Sequence, residues 1–301
     1  MLQTDNIFAR LSLDESLRRT FEVYAKGFLV FTKISALAIG IQAILWAVLL
    51  NPLLKAFDLN GKDYEDPMFV VNNMMAVFLL ISIKGLLGIF VGPIAEGAMI
   101  QAVVDIYTDR QPRWLPCLKV GLKNAIPLFL ASLLAGLISS IGMLCLFVPG
   151  LYLAVTFFVV TPAILVEKTS SCGSLRRSYN LVSGSWCYVF CTFLIVYVIL
   201  IFGQMIWSAI FAGGNDIGHT FFSVWGSLGA SVFAIFITPL VAIMKTIMYF
   251  NLRVEKEGLN ADVFLREIGG RADDTNYRHV PLIDDTEDIM EAPTIKQDSV
   301  V

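Results

Sequence analysis

Six long apolar stretches constrain this chain more than anything else in it: residues 28–50, 69–107, 125–148, 151–166, 185–212 and 221–250. A helix needs roughly 20 apolar residues to cross a hydrocarbon core about 30 Å thick. Each stretch meets or approaches that length, and short polar breaks separate them. The fourth is the shortest, and Pro149-Gly150 is expected to turn the chain into it from the third. The expected fold class is therefore all-α: a polytopic membrane protein with six transmembrane helices. The composition agrees, with 56% hydrophobic and 16% charged residues, against about 45–50% and 25% in soluble domains.

Charge placement orients the helices. Of 22 Lys and Arg, seventeen fall before the first stretch, between the second and third, between the fourth and fifth, or after the sixth. The opposite connections, 51–68, 149–150 and 213–220, carry only Lys55 and Lys62. Basic residues are retained on the cytoplasmic side, so both termini are expected to face the cytoplasm. The five cysteines show no paired spacing, and most fall near that reducing side, so no disulfide framework is expected.

A short basic segment with helical periodicity precedes each odd-numbered stretch. In DESLRRTFEVYAKGF, Leu17, Phe21, Tyr24 and Phe28 share one face, and Ser12 with Glu15 makes a capping box. In WLPCLKVGLKNAI, Leu115, Leu118, Leu122 and Ile126 oppose Lys119 and Lys123. In SLRRSYNLVSGSW, Leu175, Tyr179 and Val182 oppose Arg176 and Arg177. Such helices lie in the headgroup plane, so Arg18, Arg19, Lys119, Lys123, Arg176 and Arg177 are candidate headgroup contacts. The even-numbered stretches carry Pro93, Pro162 and Pro239, where helix kinks are expected. The chain thus reads as three helix hairpins, each preceded by an amphipathic interfacial helix.

Residues 1–258 form the membrane domain in this reading, and 259–301 an acidic, largely disordered cytoplasmic tail. Within the tail, Arg278 with Leu282-Ile283 resembles a dileucine signal, and Ser299-Val300-Val301 resembles a ligand for strand addition to a PDZ domain. Either would give a protein partner a handle.

No constellation for catalysis is visible. The histidines, His219 and His279, lie outside the apolar stretches, and no HExxH, GxSxG, phosphate loop or metal spacing occurs. No catalytic residue, metal, cofactor or nucleic-acid partner is expected. Polar groups at membrane depth are the exceptions, since a cation there costs at least about 2.5–3.5 kcal/mol. Lys84 falls mid-stretch, and Glu96 and Lys245 each follow their proline closely enough to pair; these three form the candidate intramembrane site. Glu167 is placed to hold Arg176 or Arg177, and Lys33 to snorkel.

The run 148–186 resembles the membrane domain attached to some bacterial glycerophosphodiester phosphodiesterases, which also occurs as stand-alone multi-helix proteins. It joins Pro149-Gly150, Pro162-x-x-x-x-Glu167 and Leu175-Arg176-Arg177-Ser178 in order. The run 238–262 is similar to that family's closing helix, with its Tyr, Arg and Glu-Gly exit. The resemblance implies a six-helix membrane domain and no hydrolase activity, because the catalytic barrel has no counterpart here. The expected function is a non-enzymatic integral membrane protein that organises lipid, anionic lipid included, or serves as a scaffold. The alternative is a transporter or channel for a small solute.

Overall fold

The first amphipathic segment and the first apolar stretch form one helix, α1 (Leu13–Ala56), rather than a surface helix followed by a span. No proline or turn cluster separates Lys26 from Leu29, and extending an existing helix costs far less than nucleating a second one. The capping box is half realised: the Glu15 amide donates to Ser12 Oγ at 3.3 Å.

The computed structural model describes residues 11–56, 74–211, 224–259 and 264. After α1 come α2 (Met74–Tyr107), α3 (Trp114–Lys123), α4 (Ala125–Cys145) and α5 (Phe147–Thr156). They are followed by α6 (Val160–Glu167), α7 (Ser171–Val182), α8 (Trp186–Phe211) and α9 (Val224–Glu257). The fold is all-α and polytopic. Six apolar segments are long enough to cross a membrane, in α1, α2, α4, α5 with α6, α8 and α9. The chain divides into two units, Met1–Ala261 and Asp262–Val301, and all these helices lie in the first. The tail motifs at 278–283 and 299–301 lie outside the described residues.

Two local expectations are corrected. The turn between the third and fourth spans falls at Leu146, which is extended (φ −158°, ψ 137°), and not at Pro149-Gly150. Pro149 instead occupies the first turn of α5, where its missing N–H would have had no helical partner. Gly150 lets α5 lie directly on α4: a Cβ there would sit 2.4 Å from the backbone nitrogen of Met143. The fourth span is also not one kinked helix. It breaks at 157–159 between α5 and α6, because the Pro162 ring collides with the carbonyl one turn earlier, at Phe158. Pro93 and Pro239 lie inside α2 and α9, which continue through them. Near Pro239 the Phe236 carbonyl accepts a hydrogen bond from the Tyr24 hydroxyl at 3.0 Å, which ties α1 to α9 beside the proline.

The core sits at the end of the helices that carries α3 and α7. Val23, Phe31 and Ile34 of α1 pack there with Ala98, Met99 and Val103 of α2 and Ile243 and Ile247 of α9. A second cluster joins Ile100, Leu128, Ala131, Val160 and Ile164. Towards the opposite end, Ile44, Val48, Leu144 and Phe202 are exposed.

The three basic segments share one burial pattern that their letters only partly announce. Ser16-Leu17-Arg18-Arg19-Thr20-Phe21, Cys117-Leu118-Lys119-Val120-Gly121-Leu122 and Ser174-Leu175-Arg176-Arg177-Ser178-Tyr179 match position by position. The first and fifth residues are buried, the second and fourth half-buried, and the third and sixth exposed. The small residues, not the large apolar ones, face inward. At Gly121 the approach is closest, since a Cβ there would meet the Ile94 carbonyl oxygen at 2.4 Å. Small residues at helix contacts let backbones approach, which is how membrane helices associate without a hydrophobic driving force.

Candidate functional site

Three polar assemblies stand out, and the first is the ion pair expected from sequence. Glu96, three residues after Pro93, lies on α2; Lys245, six after Pro239, lies on α9. Lys245 Nζ is 2.9 Å from Glu96 Oε1, with the two side chains 20% and 22% exposed. The ammonium also lies 5.3 Å from the centre of the Phe158 ring, which adds a cation–π contact. Beside this pair is a cavity of about 580 Å³ bounded by α2, α4, α5, α6, α8 and α9. Lys84 belongs to α2, but its side chain lies outside the described residues, as do both histidines. Lys33 is exposed.

The second assembly lies at the C-terminal end of α9. Glu167, the last residue of α6, accepts from Arg177 Nε through both carboxylate oxygens at 2.8 Å. The Tyr249 hydroxyl donates to Glu167 Oε1 at 2.6 Å, and Arg253 Nε stands 3.8 Å away. Glu257 completes the cluster, 2.5 Å from Arg177 Nη1 and 3.0 Å from Arg253 Nε. Burial opposes the charge on Arg177, but its bonds to Glu257 and Glu167 more than offset that, and the guanidinium pKa rises above its ordinary value. Of the two arginines considered for Glu167, Arg177 is therefore the partner, and Arg176 is exposed. Tyr249, Arg253 and Glu257 lie on the last turns of α9. Their carboxylates and donors are engaged with one another, so the cluster fastens α6, α7 and α9 together.

The third assembly was invisible in the sequence. Asn251 is buried and accepts from the Leu11 amide at 2.8 Å. Its amide donates to the Leu11 carbonyl at 3.2 Å and to the Tyr188 hydroxyl at 2.9 Å. Tyr188 and Ser16 hydroxyls share a further bond at 2.7 Å. A lone Asn in an apolar helix carries no pattern that names partners this distant.

Comparison with protein-family models, curated proteins and solved structures finds no match to this chain. Its chemistry must be read from these assemblies. Among the described residues no group of three or more His, Cys, Asp or Glu comes together as metal ligands would.

Cys117, the buried member of the repeated pattern, has its thiol pKa pushed up by burial and by the adjoining Asp105 carboxylate. Its Sγ lies 3.5 Å from Asp105 Oδ2. A raised pKa means less thiolate at any given pH, and the thiolate is the reactive form. Maleimide is expected to modify Cys172, which is exposed, while Cys117 stays unmodified. Mass spectrometry of maleimide-treated protein checks this, and Cys117 should label only on unfolding.

Proposed function

We propose that this is a non-enzymatic integral membrane protein that organises lipid at the cytoplasmic face, with both termini on that side. One observation carries the reading: the exposed edge of all three repeated segments pairs a cation with a large apolar side chain. The cations are Arg18, Lys119 and Arg176, all exposed. Three residues further along lie Phe21, Leu122 and Tyr179, which are 55%, 55% and 47% exposed. A side chain of each kind, one turn apart on a helix, suits the boundary between headgroups and acyl chains, with the cation toward anionic lipid. Lys123 adds a fourth exposed charge. Arg18 keeps its exposure although it lies 2.9 Å from Glu15. Arg19 and Arg177 contribute less to such a surface, since both are half-buried and Arg177 is held by Glu167 and Glu257. The resemblance to a stand-alone membrane domain without a catalytic barrel supports the same reading.

The triple variant Arg18→Gln, Lys119→Gln, Arg176→Gln tests it. Each cation near an anionic surface contributes about 1 kcal/mol, or roughly five-fold in lipid preference. Enrichment of anionic over neutral lipid around the purified protein is expected to fall by at least ten-fold, with thermal stability unchanged. An unaltered lipid profile would reduce these residues to topology signals. Sidedness is checked with single-cysteine proteins and an impermeant maleimide applied to intact cells. Cys145, beside the Leu146 turn, is expected to label from outside, and Cys172 is not.

A second reading, a transporter for a small solute, is favoured by the Glu96–Lys245 pair beside its cavity, since ionisable groups at membrane depth often line substrate paths. Flux into proteoliposomes that disappears in Lys245→Met would support it.

A further inference from the structure

The cavity beside Glu96 and Lys245 is kept open by residues that the fold itself does not require to be small. Gly85, Gly88 and Gly92 of α2 and Gly136 of α4 all border it. A Cβ built on any of the four meets no atom within 4 Å. Glycine inside a helix is unfavourable relative to alanine, and packing explains none of these four. Their common effect is clearance in front of the ion pair. At about 580 Å³ the space lies within the range of small-ligand sites, which typically hold 300–1,000 Å³.

The pair selects the ligand by charge balance. An anion drawn to Lys245 would leave Glu96 uncompensated, and a cation drawn to Glu96 would strand Lys245. At membrane depth an unpaired charge costs on the order of a hundredfold in the equilibrium. A zwitterion exchanges the internal pair for two matched external ones and leaves no charge over. The flank decides the source. Gly85, Gly136, Tyr197 and Thr238 border the cavity and are also exposed, and all but Gly85 lie within apolar segments able to cross the membrane. A headgroup can enter there sideways while its chains stay in the bilayer.

We propose that this cavity binds the headgroup of a zwitterionic phospholipid, its phosphate at Lys245 Nζ, its ammonium at Glu96, and its acyl chains outside in the bilayer. The inference deepens the lipid-organising reading and rests on it, adding a selective internal site to the surface one.

Purified full-length protein in detergent is titrated with fluorescent phosphatidylethanolamine, phosphatidylglycerol and diacylglycerol. In wild type, phosphatidylethanolamine is expected to bind at least ten-fold more tightly than diacylglycerol. In the Arg18, Lys119, Arg176 triple variant, which lacks the surface cations that attract anionic lipid, it is expected to bind at least ten-fold more tightly than phosphatidylglycerol as well. Gly88→Leu and Gly92→Leu, which fill the cavity, and Glu96→Gln are each expected to weaken that binding ten-fold or more. The glycine variants improve helix propensity, and an unchanged unfolding temperature certifies their fold. Free phosphoethanolamine should compete weakly; full displacement by it would indicate a soluble zwitterion and overturn the lipid assignment. Equal binding of diacylglycerol would show that the charges are unused, and undiminished binding in the glycine variants would place the lipid elsewhere. If binding survives the cavity variants but fails in the Arg18, Lys119, Arg176 triple variant, the cavity inference falls and the surface function stands. If wild type distinguishes no lipid class, both fall.

Discussion

Glu167→Ala is expected to destabilise the protein by about 3 kcal/mol, the lower end for breaking a buried ion pair by removing one partner. The lower end applies because Glu167 and Arg177 retain 17% and 25% exposure, which lets solvent screen part of the loss. The substitution takes one of the two carboxylates that hold Arg177 and removes a carboxylate from beside Arg253, which is only 6% exposed. It also takes the acceptor from the Tyr249 hydroxyl. In a chain of this size that energy corresponds to a fall of about 6–12 °C in apparent unfolding temperature. The residues act as a unit, so Glu167→Ala combined with Arg177→Ala should lose less than the sum of the single variants. Additive losses would show that the bonds seen at Glu167 contribute little.

Gly121→Val is expected to be at least as damaging, for a different reason. The new Cβ would sit 2.4 Å from the Ile94 carbonyl oxygen and 3.1 Å from the Ala98 nitrogen. Backbone cannot swing aside as a side chain can, so α3 must lift from α2. Overpacking of a tight contact costs about 1–3 kcal/mol and occasionally more, and the upper part of that range is expected here. Thermal unfolding in detergent gives the energy, and earlier maleimide labelling of Cys117, four residues away on the same buried face, reports the displacement. Gly92→Ala is the control: adding a Cβ into open space should leave stability equal or slightly higher.

The membrane-crossing segments were legible because length and apolarity alone decide whether a helix can span a bilayer. The pairing of Glu96 with Lys245 was legible too, since each follows its proline within two turns, three and six residues on, which puts both toward the same end of their helices. The inward face of the basic segments was not. Amphipathic reasoning ranks Leu17, Phe21 and Tyr179 above Ser16, Thr20 and Ser178, whereas helix contact in a membrane prefers the small residues. The sequence offered Glu167 either Arg176 or Arg177, nine or ten residues on, but Tyr249 and Glu257 join that cluster from 82 and 90 residues away, beyond any local pattern. The cavity escaped for a similar reason: glycine in an apolar helix reads as a contact point, and only the neighbouring helices reveal which glycines touch nothing.

Asn251 ties Leu11, 240 positions earlier in the chain. During synthesis the N-terminal end of α1 therefore waits, its backbone amide and carbonyl without these partners, until the ninth helix has emerged and inserted. The bond works as a completion mark. A chain truncated before residue 251, or one whose last span fails to enter the membrane, leaves the Leu11 amide and carbonyl without Asn251.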